Sequence, residues 1–236
     1  MNAQQFIKDS EPFLNFLAGW AGDLPELTLA SLTAEPGRLA IISVDVINGF
    51  CTTGALASPR IQAIVAPIAG LFQRAQAAGV EYMALVQEAH EPDAVEFAHY
   101  PRHAVRGSRE AEAVPELKAL PFYDQLPIFT KNSISPVFNS GLEAWLQAHP
   151  QISTFVAVGD CTDLCTYQLA MYLRLRANAN QLDQRVIVPV NCTDTFDTPL
   201  DVARQIGALP HAGDLLHWVF LYNMRLNGVE VVQAIV

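Results

Sequence analysis

The sequence predicts an α/β fold: one three-layer α/β/α domain around a central, mostly parallel six-stranded sheet, Rossmann-like in its winding. Three observations carry this expectation. Six short apolar runs are bounded by turn residues, as strands are. Amphipathic stretches lie between them, and strands alternating with helices make a parallel sheet covered on both faces through right-handed crossovers. The chain of 236 residues is 51% hydrophobic and 16% charged, enough to build such a core and too apolar for a disordered or fibrous chain.

Residues 1–36 hold short apolar pieces (Phe6, Phe13-Leu14, Phe16-Leu17, Trp20) and end at Glu35-Pro36-Gly37. They read as an N-terminal extension with a helical start, packed on a main domain of residues 37–236. Residues 39–45 form a β-branched run suited to a strand buried on both faces. An Ala-rich amphipathic stretch over 61–78, ended by Gly79, predicts a helix, and 81–87 the second strand. Residues 88–122 lack periodicity and are crowded with His, Glu, Pro and Arg; so long an irregular stretch inside a compact domain is usually functional. Then follow a strand at 127–130, a helix at 142–148 and a strand at 153–158 running into Gly159. The next helix spans 162–177, with Thr162 as its expected N-cap. A strand at 185–190, a helical pair between 200 and 226 and a last strand at 229–232 complete the chain.

Fourteen Lys and Arg against 24 Asp and Glu leave a net charge of −10. Such a chain lacks the cationic stripe that dominates nucleic-acid affinity, so no nucleic-acid partner is expected. No apolar run reaches the roughly 18 residues of a membrane span. Met1-Asn2-Ala3-Gln4-Gln5 lacks the basic stretch leading into an apolar one that marks a signal peptide, so no membrane partner and a cytoplasmic location are expected. The four cysteines (Cys51, Cys161, Cys165, Cys192) are too sparse for a disulfide scaffold, and at least one is a candidate for chemistry; the bland alternative is four small buried hydrophobes. The Rossmann glycine fingerprint and the phosphate loop are both absent, so nothing argues for a nucleotide cofactor.

In open parallel sheets, sites lie outside the carboxyl ends of the strands. That rule selects Asp45, Glu88, Lys131 and the corner at 159–165. Cys165 follows Gly159-Asp160-Cys161-Thr162-Asp163-Leu164. A thiol in the first turn of a helix feels the positive end of the backbone dipole, which lowers its pKa and favours the thiolate. The N–H groups there also suit an oxyanion. Equally, Cys165 could head an apolar stripe with Leu169, Tyr172 and Leu173. Asp45 ends an apolar strand, where a poorly solvated carboxylate takes a proton from a thiol or merely caps a turn. Lys131 beside them would hold that carboxylate ionised and stabilise charge on an acyl oxygen; alone, it reads as a surface lysine. Glu88-x-His90, then Glu96, His99 and His103, reads either as a polar loop with incidental histidines or as ligands for Zn²⁺, Fe²⁺ or Mn²⁺. Cys51 and Cys192 read as packing residues.

Together these motifs resemble the isochorismatase-like cysteine hydrolases, and among them the plant-type nicotinamidase branch, from about Leu39 to Val232. The family's catalytic residues, in the order Asp, Lys, Cys, fall on Asp45 within Ser43-Val44-Asp45-Val46-Ile47-Asn48-Gly49-Phe50-Cys51, on Lys131 and on Cys165. The family's metal pattern, Asp-x-His then Pro-x-His-x-x-x-Gly, looks like Glu88-Ala89-His90 and Pro101-Arg102-His103-Ala104-Val105-Arg106-Gly107. Thr195-Phe196-Asp197-Thr198-Pro199-Leu200 resembles the plant branch. The chain departs from the pattern at Glu88, where Asp is usual, at Arg102, where a second Pro is usual, and at Ala104, where Cys is common.

The resemblance implies a divalent metal, Zn²⁺ first and Fe²⁺ or Mn²⁺ as alternatives, held by Glu88, His90, Glu96 and His103, with His99 left out. It implies an oxyanion site from the backbone N–H groups of Cys161 and Cys165, a cis peptide at Asp160–Cys161, and a ring-binding wall from Phe50, Tyr100 and Phe138. The implied activity is hydrolysis of nicotinamide to nicotinate and ammonia through a thioester on Cys165, a step of NAD salvage, in a homo-oligomer. Two other readings stand beside it. One keeps the fold and triad for another small amide or an N-carbamoyl or ureido compound, whose enzymes usually lack the metal loop. The other is a non-catalytic scaffold, which three reactive residues at strand ends disfavour.

Overall fold

The structure, a computed structural model, describes residues 2–236. Six strands, β1 (Leu39–Val44), β2 (Tyr82–Glu88), β3 (Ile128–Lys131), β4 (Thr154–Asp160), β5 (Arg185–Pro189) and β6 (Glu230–Val232), pair side by side in the order 3-2-1-4-5-6. Every one of these pairs is parallel, which gives the doubly wound order. The sheet also takes in the two-residue strand Thr193–Asp194, which pairs with the end of β4. It carries no apolar run, so alternation of strands and helices could not reveal it.

The helices longer than one turn are α1 (Ala3–Gly22), α2 (Pro59–Ala77), α3 (Leu142–Ala148), α4 (Cys165–Ala179), α5 (Leu200–Ile206) and α6 (Gly213–Leu226). Successive residues of a strand point to opposite faces, so β1 feeds two cores. Leu39 and Ile41 pack with Ile61, Ile68 and Phe72 of α2 on one face. Ala40, Ile42 and Val44 pack with Leu146 of α3, Leu169 of α4 and Leu221 of α6 on the other. A strand covered on both faces favours apolar side chains throughout, and in β1 only the small, buried Ser43 departs from this.

α1 lies on α6: the Phe13 and Phe16 rings each meet Tyr222 at 5.5 Å, and Trp20 meets it at 5.3 Å. The strand Glu26–Leu27 pairs with Ala234–Ile235, tying the segment before β1 to the chain's other end. Among the described residues no helix is long and apolar enough to cross a membrane. All four cysteines are free and buried.

Two local features shape the sheet's carboxyl edge. At Gly159 the backbone takes φ +118°, and a Cβ there would fall 2.0 Å from the Val44 carbonyl oxygen; only glycine lets β4 approach β1 so closely. α4 begins at Cys165, three residues later than the sequence predicts, and Thr162 is not its N-cap. Leu164 holds that position without a side-chain cap, while Thr162 Oγ1 lies 2.8 Å from His217 Nδ1 and 3.4 Å from Thr193 Oγ1. A hydroxyl turned toward a neighbouring element looks the same in sequence as one turned toward its own helix. The irregular stretch at 88–122 is built of short turns, among them Val95–Ala98, Arg109–Ala111 and Pro115–Lys118. Bridges between Ile47 and Ala113 and between His90 and Val105 fasten it over the strand ends.

Candidate active site

Strand order reverses between β1 and β4, and a crevice at such a switch point is where open α/β sheets bind ligands. Asp45 follows β1 with φ 59°, a left-handed backbone that Asp tolerates better than most residues. Its N–H donates to the Val86 carbonyl at 2.8 Å, and its Oδ1 accepts the Glu88 N–H at 2.8 Å. The carboxylate is thus aimed by the end of β2. Lys131, the last residue of β3, reaches past β2 so that Nζ lies 2.8 Å from Asp45 Oδ2, 2.9 Å from Glu88 Oε1 and 3.5 Å from Cys165 Sγ. All four residues are buried. One heteroatom each of Asp45, Glu88 and Cys165 lies within 4.8 Å of the others. The structure therefore brings Asp45, Lys131 and Cys165 together. Asp45 Oδ2 has Lys131 as an ion-pair partner but accepts no directional hydrogen bond, which leaves it able to take a proton.

Burial raises the pKa of Asp45, the Lys131 ammonium pulls it back, and it settles at about 6. For Glu88, burial is overcome by Lys131, His103 and His90, and its pKa drops to about 2. Lys131 stays charged despite burial, since the Asp45 and Glu88 carboxylates hold its proton. The Cys165 thiol is pushed well up by burial; Lys131 favours the thiolate, but Asp45 and Glu88 oppose it. This corrects the expectation of a thiolate made by the helix start. About half a unit charge of helix dipole does not offset desolvation and two buried carboxylates. The resting group is a thiol beside a carboxylate, and it must lose its proton as it attacks.

The peptide Asp160–Cys161 is cis. The corner closes on itself through Leu164 and Thr166 N–H groups, which donate to the Cys161 carbonyl at 3.0 and 3.1 Å. Since α4 starts at Cys165, the N–H of that residue is among the first-turn donors without an intrahelical acceptor.

Glu88, His90, Glu96 and His103 each place a ligand atom within 4.8 Å of the others. His90 Nδ1 lies 3.0 Å from Asn132 Oδ1, which also accepts the Glu91 N–H, and His103 Nδ1 lies 2.8 Å from the Pro101 carbonyl. Both Nδ1 atoms face acceptors, and in the tautomer that places the hydrogens there both Nε2 atoms offer lone pairs. Those two atoms face each other at 3.2 Å, an unfavourable meeting of acceptors that a cation between them resolves. Glu88 Oε1 is 3.3 Å from His90 Nε2, and Oε2 is 3.5 Å from His103 Nε2. Tetrahedral donors about 2.0–2.1 Å from a zinc ion lie roughly 3.3–3.4 Å apart, so the donor set fits a divalent cation. Glu96 Oε1, 3.9 Å from His90 Nε2, sits more loosely. His99 is exposed.

Aromatic rings surround this cluster. Phe50 lies 5.5 Å and Tyr100 6.3 Å from the His103 ring. Phe97, which sequence reasoning missed, lies 5.2 Å from His90 and 5.8 Å from His103; its place between Glu96 and His99 was the available signal. Phe138 is 72% exposed and makes no ring contact with this cluster among the described residues. Asn132, which orients His90, was also missed, although it directly follows Lys131.

The isochorismatase domain profile matches residues 39–213. Nicotinamidase 1 of Arabidopsis thaliana is 32% identical over 215 residues, covering 84% of this chain and 86% of that protein. The solved nicotinamidase from Bacillus subtilis superposes with a TM-score of 0.65 at 21% identity, over 83% of this chain and 99% of that one. N-carbamoylsarcosine amidase from Thermoplasma acidophilum gives 0.63 at 22% identity, over 83% and 96%. At such identities the two structures attest the fold alone. With the profile running from β1 to the first residue of α6 and one relative alike over most of both chains, the chain belongs to the isochorismatase family.

Proposed function

We propose that the protein is a cysteine amidohydrolase that converts nicotinamide to nicotinate and ammonia. The observation that carries this reading is the double engagement of Glu88. Its Oε1 lies 2.9 Å from Lys131 Nζ and 3.3 Å from His90 Nε2, so the nucleophile's cluster and the metal-fitting cluster share one carboxylate. A substrate serving both is small and carries a carboxamide a few bonds from a Lewis-basic ring nitrogen. The name of the plant relative, nicotinamidase, supports the same substrate.

Asp45 takes the proton of the Cys165 thiol as the sulfur attacks the amide carbon. The N–H groups of Cys161 and Cys165 receive the oxyanion, and Lys131 keeps Asp45 ionised between turnovers. The C–N bond breaks, ammonia leaves with the proton returned from Asp45, and a thioester remains. Water then attacks the thioester carbon with Asp45 as base, releasing the acid and restoring the thiol. Glu88, His90, Glu96 and His103 would hold a divalent ion, Zn²⁺ in this reading, which supplies a Lewis acid for the ring nitrogen. Phe50 and Tyr100 wall the ring. Homo-oligomerisation and a cytoplasmic location belong to the same proposal.

Because the base must be unprotonated, kcat/KM rises with pH as Asp45 ionises, with a limb at about 6 set by its burial against Lys131. A profile flat between about pH 5 and 8 contradicts that assignment. Ammonia release from nicotinamide, set against an N-carbamoyl amine, tests the substrate, and elemental analysis tests the ion. His90→Ala should empty the site and lower kcat/KM for nicotinamide by at least about a hundredfold, since even residues behind metal ligands cost 10–100-fold. Turnover that survives both chelation and His90→Ala would shift the reading to an N-carbamoyl or ureido substrate.

A further inference from the structure

The segment at 193–213 leaves the end of β5 and runs along the outside of the 161–165 corner. Thr193 and Asp194 pair with Gly159 and Asp160, and the Thr162 N–H donates to the Asp194 carbonyl at 3.0 Å. The side chain of Asp163, in the middle of the corner, is 6% exposed. Its Oδ1 accepts the Thr195 hydroxyl at 2.5 Å, and its Oδ2 lies 2.8 Å from His211 Nε2. His211 Nδ1 lies 2.9 Å from the Phe196 carbonyl, and the His211 ring stacks on Phe196 at 3.8 Å. The Phe196 carbonyl and the Asp163 carboxylate are both acceptors, so each ring nitrogen faces a group to which it can donate. Reciprocal backbone hydrogen bonds between Thr198 and His211, at 2.8 and 2.9 Å, fix the histidine's own place. Arg60 anchors the near end, with Nε 2.8 Å from the Thr195 carbonyl and Nη2 2.8 Å from Asp194 Oδ1.

This pair is built like a support behind the reacting groups. Asp163 belongs to neither carboxylate cluster, and the contacts of His211 all run to the corner and to its own loop. α4 begins without a side-chain cap, so beyond its backbone bonds the corner is held by side chains reaching to other elements, Thr162 to His217 and Asp163 to Thr195 and His211. We infer that His211 is a positioning residue for the reaction: through Asp163 it fixes the 161–165 corner, and with it the backbone N–H groups that receive the oxyanion. The inference rests on the amide-hydrolysis reading and adds a residue to it.

The test compares His211→Ala with His211→Gln, whose amide keeps a donor for Asp163. With nicotinamide, His211→Ala should lower kcat about tenfold, less than the 10²–10³ that follows removal of an oxyanion donor, with KM changed by no more than about twofold. His211→Gln should recover most of kcat. Alkylation of Cys165 by iodoacetamide, followed by peptide mass mapping, should proceed at the wild-type rate in both variants, because alkylation uses the sulfur and its base but no oxyanion site. Adding Asp163→Asn to His211→Ala should cost little more, as expected of residues acting in series. An unchanged kcat, a parallel fall of kcat and alkylation, or additive losses would each overturn the inference. Amide hydrogen exchange of the peptide bearing 161–166 is independent of any substrate and should quicken in His211→Ala. If wild type releases no ammonia from nicotinamide, the substrate reading fails; if exchange at the corner is unchanged, the support by His211 fails.

Discussion

Cys165→Ala is expected to lower kcat for nicotinamide by about five to six powers of ten, the scale seen when a covalent nucleophile is removed. No neighbouring group replaces the sulfur. Cys161 is four residues away, but burial and the carboxylates of Asp160 and Asp163 push its thiol well up, and its Sγ has no base paired with a lysine. Asp45→Asn should give a loss of similar size, and the double variant little more, because base and nucleophile act as one unit. Ammonia release under single-turnover conditions checks both. A residual rate above about one part in a hundred in Cys165→Ala would mean that another group forms the bond to carbon.

Lys131→Met is expected to be the most destabilising single change at the site. Lys131 is fully enclosed, and its ammonium faces two buried carboxylates, Asp45 at 2.8 Å and Glu88 at 2.9 Å. A methionine fills the volume but leaves both acids without their cation. Breaking a buried pair in this way costs about 3–5 kcal/mol, which lowers Tm by roughly 10 °C in a domain of this size. The deficit should depend on pH. Asp45 already has a folded pKa of about 6 against 3.8 for the free residue, and without Lys131 it rises further. An acid whose folded pKa is raised stabilises the fold below its unfolded pKa and loses that contribution as pH climbs through the folded one. The variant should therefore lie nearest to wild type at pH 4 or below and fall away above about pH 6. Urea unfolding at both pH values measures this, and an equal Cm for variant and wild type at neutral pH contradicts the ion cluster.

The strands and helices of the sheet were legible in the sequence because each needs a long apolar signal, and β1, β2 and β4 have one. Asp45, Glu88 and Lys131 were legible because a charge at the end of such a run stands out. The expected thiolate failed for a reason no spacing carries. The state of Cys165 is decided by how many carboxylates the fold packs around it, and Glu88 reaches the sulfur's surroundings from β2. Phe97 and Asn132 were missed because a ring or an amide in an irregular loop has no periodicity to betray it. Asp163 and His211 lie 48 residues apart, and their segments meet through tertiary contacts such as the pairing of Thr193 and Asp194 with β4.

One measurement reaches the centre of this account: acid quenching of the enzyme during turnover of nicotinamide, followed by mass spectrometry of its peptides. The account predicts a pyridine-carbonyl group on the peptide bearing Cys165, bonded to that sulfur and missing from the Cys165→Ala variant. Full ammonia release with Cys165 never modified at any quench time, or an adduct on a different side chain, would contradict it.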